Sequence, residues 1–149
     1  MHNKDFKNAP PSMLINELSK LFNDRMRQKT EAMGMAGGYR RILFHLSHSE
    51  CLSQLELVRK THLSAPTISV SLQRMEAEGL VLRENDPQDL RTILVRLTPK
   101  GREADRRVIH AVHETEQEML SGIDPEEIDR IRPILEKMYQ NLTKGTAFV

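Results

Sequence analysis

Helical apolar periodicity over most of the chain, interrupted once by a short β-patterned stretch, predicts a mainly α fold with one small β-hairpin. Three observations carry this. Leu14, Leu18, Leu21 and Phe22 near the start, and Ile128, Ile131, Leu135, Met138 and Leu142 near the end, recur at helical spacing. Between them, Ser53-Gln54-Leu55-Glu56 and Ser64-Ala65-Pro66 each open a short helix. After Gly79 the period changes, and β-branched residues flank the turn-forming run Asn85-Asp86-Pro87-Gln88-Asp89.

The 149 residues suit one domain or two closely coupled ones. Aromatic residues make up 4% and Trp is absent, so the core must be built from Leu, Ile, Val and Met. A formal charge of +1 excludes a uniformly basic, histone-like protein but not a local basic face. Residues 1–102 hold 16 Lys and Arg against 11 Asp and Glu, whereas residues 103–149 hold 6 against 10. That split suits a part facing a polyanion joined to a part facing elsewhere. The single cysteine, Cys51, has no partner for an intramolecular disulfide. No apolar run nears the ~20 residues of a membrane span, and the first residues lack the apolar core of a signal peptide. A cytoplasmic location without membrane contact is the expectation.

In chain order, residues 1–10 are polar, run into Ala9-Pro10-Pro11 and read as a flexible arm. Ser12 is expected to cap a helix running to about Ala32, ended by Gly34, Gly37 and Gly38. A second helix covers Tyr39 to Ser47, with Ile42, Leu43 and Leu46 inward. The helix opened by Ser53 ends near Thr61, and His62-Leu63 form a tight connection. Ser64 then caps a helix reaching about Glu78, with Gly79 as its C-cap. Strands at Leu80–Glu84 and Thr92–Leu97 make a hairpin with Arg91 near its tip. Thr98-Pro99 opens a long helix with a narrow stripe of Val108, Val112, Thr115 and Met119, ended by Gly122. Asp124-Pro125-Glu126-Glu127 starts the last helix, where Pro133 is expected to introduce a kink. A helix pair followed directly by such a hairpin describes a winged helix-turn-helix.

The helix after Ser64 has the surface of a major-groove reader. At about 100° per residue, Ile68, Leu72 and Met75 share one arc and should pack inward. Pro66, Thr67, Val70, Gln73 and Arg74 fall opposite, with Ser69 at the edge and no acid among them. Hydroxyls and amides there can read base edges, and the Thr and Val methyls can touch thymine. Arg74 lies further along and suits a phosphate. Arg91, at the hairpin tip, suits the narrow minor groove; its plainer role is a surface salt bridge with Asp89. Ser53 and Gln54 lie at a helix N-terminus, where exposed N–H groups bind phosphate, although Ser53 also serves as a cap.

These residues resemble the MarR family, regulators of the multiple-antibiotic-resistance type, from about Leu14 to Leu142. The resemblance rests on Leu63-Ser64-Ala65-Pro66-Thr67-Ile68-Ser69, on Gln73-Arg74-Met75-Glu76-Ala77-Glu78-Gly79-Leu80-Val81, and on the wing. In the wing, Asp86-Pro87-Gln88-Asp89-Leu90-Arg91 is followed by Leu97-Thr98-Pro99-Lys100-Gly101. It implies a homodimer formed by the first and last two helices, and two winged domains gripping a pseudo-palindromic operator in double-stranded DNA. The domain boundaries that follow are a winged helix-turn-helix over residues 37–98 and a helical dimerisation region over 11–36 and 99–149. The function implied is a ligand-responsive repressor. Leu90 stands where the family usually has the first of two arginines, Gln73 replaces a common Asp, and Ala65 and Val70 fill positions that are often charged or polar. Fewer phosphate contacts and a shallower salt dependence are therefore expected.

Relatives often bind small phenolic or other amphipathic ligands between dimer helices and winged domain, and some sense metals or oxidants. Met33, Met35, Tyr39 and Arg40 are candidate ligand residues, with Arg40 suited to a carboxylate; plain core packing is the alternative. His45 with His48, and His110 with His113 and Glu114, have fragments of metal-ligand spacing. The latter trio falls opposite the apolar stripe, as a solvated face would, so neither a metal nor another cofactor is expected. Cys51 follows Glu50, which does not favour a reactive thiolate. No nucleophile–base pair, paired-carboxylate motif or phosphate loop is visible, so an enzyme is not expected. The remaining alternatives are a protein–protein interaction module built on the winged fold, and a metal- or redox-sensing regulator of the same fold.

Overall fold

The computed structural model describes residues 6–144. In chain order it contains α1 (Pro11–Ala32), α2 (Tyr39–Ser47), β1 (Leu52–Ser53), α3 (Gln54–Thr61), α4 (Ala65–Ala77), β2 (Val81–Asn85), β3 (Ile93–Leu97), α5 (Pro99–Leu120) and α6 (Pro125–Thr143). The strands form one antiparallel sheet in the order β1-β3-β2. β2 and β3 are the expected hairpin, paired from Val81 with Leu97 to Asn85 with Ile93. β1 was not expected: Leu52 and Ser53 pair with Val95 and Leu94 and tie the start of α3 to the wing.

Most boundaries follow local chemistry. Ser53 forms a reciprocal capping box with Glu56, and Asp124 does the same with Glu127. The start of α1 departs from expectation. The helix begins at Pro11 behind Pro10, so Ser12 lies inside the first turn and does not cap it. Proline at the first position needs no N–H partner, which lets the helix start without a side-chain cap. α6 continues through Pro133 to Thr143.

The chain divides into two compact units within α5, at Thr115. The core of the first unit joins α1 through Met26 to α2 through Tyr39, Ile42, Leu43 and Leu46, and to α3 through Leu57. Ile68, Leu72 and Met75 of α4, Val81 and Val95 of the sheet, and Val108 and Ala111 of α5 complete it. By packing, α1 therefore belongs with the winged part. Met26 and Tyr39 are the largest of its fully buried side chains. The second unit holds α6, which has no buried residue.

One corner sets the directions of three elements. Gly79 takes a φ of 73°, which a residue with a Cβ rarely adopts, and stops α4. Its N–H donates to the Glu76 carbonyl at 2.9 Å, and that of Leu80 donates to Met75 at 2.8 Å. The carbonyls of Glu78, Gly79 and Leu80 then face the start of α5. Lys100 Nζ donates to the first at 2.7 Å and the Thr98 hydroxyl to the second at 2.6 Å. The Thr98 N–H donates to the third at 3.1 Å. The Thr98 hydroxyl also accepts from the Gly101 N–H at 3.0 Å, closing the first turn of α5. Gly101 is buried there, and a Cβ would overlap the Leu80 carbonyl and press on Leu97.

Asp105, on the inner side of α5, is 7% exposed. Burial raises its pKa above the ordinary carboxylate value, opposed by the nearby Ser47 hydroxyl and His48. The folded state thus binds this proton more tightly than the unfolded chain, and the contribution of Asp105 to stability falls as pH rises through the interval between the two values. Asp105→Asn is expected to raise Tm at neutral pH and to do so much less below the ordinary Asp value of 3.8. An equal shift at both pH values would contradict this. Gly101→Ala is expected to lower stability by about 1–3 kcal/mol through overpacking, read from the urea midpoint. An unchanged midpoint would show that the corner has room for a methyl group.

Candidate nucleic-acid interface

α4 presents its two faces as its periodicity requires. The Ser64 side chain accepts from the Thr67 N–H at 3.3 Å and starts the helix, with Pro66 in the first turn. Ile68, Leu72 and Met75 are fully buried. Pro66, Thr67, Val70, Gln73 and Arg74 are exposed, and Ser69 lies between the faces. Ser71 is buried as well, which apolar periodicity did not signal. A Cβ built on Gly38 would come 3.2 Å from the Ser71 hydroxyl, so glycine there permits the close approach.

No acidic side chain occurs from Ala65 to Met75. The two acids at the end of α4 are engaged elsewhere. Glu76 accepts from Arg83 Nε of the wing at 2.9 Å, a bond that holds its carboxyl below the ordinary range. Glu78 accepts from the Tyr39 hydroxyl at 3.0 Å. Burial first, and Glu78 second, push Tyr39 up to about 12.

The wing tip is braced by its own turn residues. Asp86 Oδ1 accepts from the Gln88 N–H at 2.8 Å, and Asn85 Nδ2 donates to the Leu90 carbonyl at 2.7 Å. Asp89 accepts from the Arg91 N–H at 3.1 Å with one oxygen and from the Thr92 hydroxyl at 3.0 Å with the other. The salt bridge considered between Asp89 and Arg91 is therefore not formed. Asp89 holds the Arg91 backbone, and the exposed guanidinium has no acidic partner among the described residues.

Ser53 and Gln54 sit across from the tip. Ser53 is occupied as a cap, accepting from the Glu56 N–H at 3.2 Å while its own N–H donates to Glu56 at 2.7 Å. With Leu55, Val58, Ala65, Arg91, Thr92 and Ile93 they line a cleft of about 400 Å3 between α3 and the wing. A second cleft, of about 360 Å3, runs beside α4 and is lined by Ala36, Gly37, Pro66, Thr67, Val70, Ser71 and Arg74. Both are open to solvent.

The residues considered for a small ligand are differently placed. Met35 and Tyr39 are buried in the core, and Met33 packs against it. Arg40 is half-buried and donates to Asn23 Oδ1 at 2.7 Å, without an acidic partner among the described residues. His48 hydrogen-bonds the Phe44 carbonyl at 2.7 Å, and both His45 and His48 contact the Phe44 ring. His110 lies 3.5 Å from Glu114 on the exposed side of α5, where His113 is also exposed. Among the described residues, no three His, Cys, Asp or Glu side chains gather as a metal would require. Cys51 is half-buried. No helix among the described residues is long and apolar enough to cross a membrane.

This architecture has known counterparts. A family model described as the MarR family matches residues 33–92. The uncharacterised HTH-type transcriptional regulator YdgJ of Bacillus subtilis is 33% identical over 104 residues, 68% of this chain. The chain spans 62% of that relative's length. The crystal structure of a MarR-family transcriptional regulator from Silicibacter pomeroyi is 30% identical with a TM-score of 0.71, covering 90% of this chain and 88% of that one. A cysteine-to-serine mutant of MarR from E. coli, solved with operator DNA, shares the fold. Its TM-score is 0.71 at 19% identity, over 89% of this chain and 96% of that one. The winged helix-turn-helix, its order of elements and these likenesses agree: the chain belongs to the MarR family of transcriptional regulators.

Proposed function

We propose that the protein is a homodimeric, ligand-responsive repressor that binds a pseudo-palindromic operator. The observation that carries this reading is the pairing of an acid-free exposed face on α4 with an unpaired Arg91 guanidinium on a braced wing. Thr67, Ser69, Val70 and Gln73 meet base edges in the major groove, and Arg74 meets phosphate. Ser64 and Pro66 set the entry of α4, Ser53 and Gln54 approach the backbone from the start of α3, and Arg91 enters the minor groove. DNA of this kind is met in the cytoplasm of a bacterial-type cell.

Dimerisation is supported by the apolar surface that each terminal helix leaves open. α1 exposes Met13, Ile15, Leu18 and Leu21, and α6 exposes Ile131, Ile134, Leu135, Tyr139 and Leu142. An amphipathic helix of 19 residues with nothing buried needs a partner for its apolar stripe, and a second copy supplies one. Two-fold symmetry then sets half-sites about one helical turn apart, near 10 base pairs. Arg40 supports the ligand response: a half-buried guanidinium held by a neutral amide is a ready partner for a small amphipathic carboxylate or phenolate. Met33 lies in the same part of the chain. Such a ligand would favour a dimer geometry in which the two α4 helices no longer match the half-sites.

A gel shift with the DNA upstream of the protein's own gene is expected to show retention by the wild type at low salt. Arg74→Ala and Arg91→Ala are each expected to weaken it about tenfold or more without changing dimer sedimentation. A folded, dimeric wild type that retains no fragment would sink the proposal.

A further inference from the structure

Leu90 stands at the end of the wing with 73% of its surface exposed. A leucine in open solvent contributes no burial to the fold, and its apolar surface is covered only when something else closes over it. The backbone that presents it is fixed. Asn85 Nδ2 holds the Leu90 carbonyl, and Asp89 holds the next N–H. Its neighbour is the unpaired Arg91. Arg91, Thr92 and Ile93 line the cleft between α3 and the wing, and Leu90 immediately precedes them in the chain.

Building on the operator reading above, we infer that Leu90 is a specificity-determining residue. It enters the minor groove beside Arg91 and selects A·T over G·C pairs where the wing makes contact. The reason lies in the groove floor. A·T and T·A pairs present only the acceptors adenine N3 and thymine O2, whereas a G·C pair adds the guanine N2 amino group. An isobutyl group packs on the deoxyribose walls above a flat A·T floor. Above G·C it meets the amino group and removes its water while offering no acceptor in return. An arginine at this position would instead follow the negative potential of the groove. Leucine replaces that charge attraction with an apolar fit.

The test uses the full-length protein and duplexes recovered with it from a random-sequence library, the wing-contacted pairs being located by hydroxyl-radical protection. Replacing an A·T pair there with G·C is expected to weaken wild-type binding about tenfold. Replacing it with inosine·cytosine, which lacks only the N2 amino group, is expected to restore most of that loss. Leu90→Ala is expected to bind the A·T duplex more weakly and to discriminate little among the three. Leu90→Arg is expected to recover affinity with a steeper salt dependence and without the discrimination. Equal wild-type binding to the three duplexes, or discrimination that survives Leu90→Ala, overturns the inference and leaves the operator reading intact. The three-duplex comparison with wild type needs no variant, so it decides even where a variant folds poorly. Failure of the wild type to retain any library duplex at low salt overturns the operator reading itself.

Discussion

The corner from Glu78 to Gly101 fixes what the rest of the molecule presents. A helix end leaves carbonyls without partners, and a strand that starts immediately after it exposes more. Here the three successive carbonyls of Glu78, Gly79 and Leu80 are satisfied by Lys100 and Thr98, residues that themselves begin the next long helix. α4, the wing and α5 therefore share one set of hydrogen bonds, and none can turn without breaking them. Gly79 supplies the left-handed backbone the stop requires. Gly101 supplies the absence of a side chain that lets α5 reach the Leu80 carbonyl.

Around that corner the polar groups fall into two sets. Acids near the surface of α4 and the wing are engaged within the protein: Glu76 with Arg83, Glu78 with Tyr39, and Asp86 and Asp89 with the turn. Arg74 and Arg91 are left without acidic partners among the described residues. Two guanidinium groups free of acidic partners therefore stand on this part of a chain whose net charge is only +1. The acidic residues of the last third lie elsewhere in the chain.

Much of this was legible in the sequence because it is local. Caps at Ser53 and Ser64, the helix start at Asp124-Pro125, the stop at Gly79 and the inward arc of Ile68, Leu72 and Met75 all follow from spacing and residue type. What escaped depends on contacts distant in sequence. Two residues are too few to show a period, so β1 became visible only through its pairing with β3. Ser71 and Asp105 are polar, so apolar periodicity gives no sign that both are buried. The carbonyl pairing at the corner joins positions about twenty apart, and periodicity has no access to it. At the candidate interface, sequence correctly separated the exposed from the buried face of α4. It did not reveal that Asp89 holds the backbone of Arg91 and leaves the guanidinium free. Among the ligand candidates, Met35 and Tyr39 lie in the core while Arg40 keeps a charged head at its edge.

Backbone hydrogen exchange of the full-length protein, with and without a duplex selected from a random library, tests the central claim most directly. Contact through α4 and the wing predicts slower exchange from Ser64 to Arg74 and from Asn85 to Thr92 when DNA is bound, with α6 unchanged. Slowing confined to α6, or absent from both α4 and the wing in a complex shown to be saturated, would contradict it.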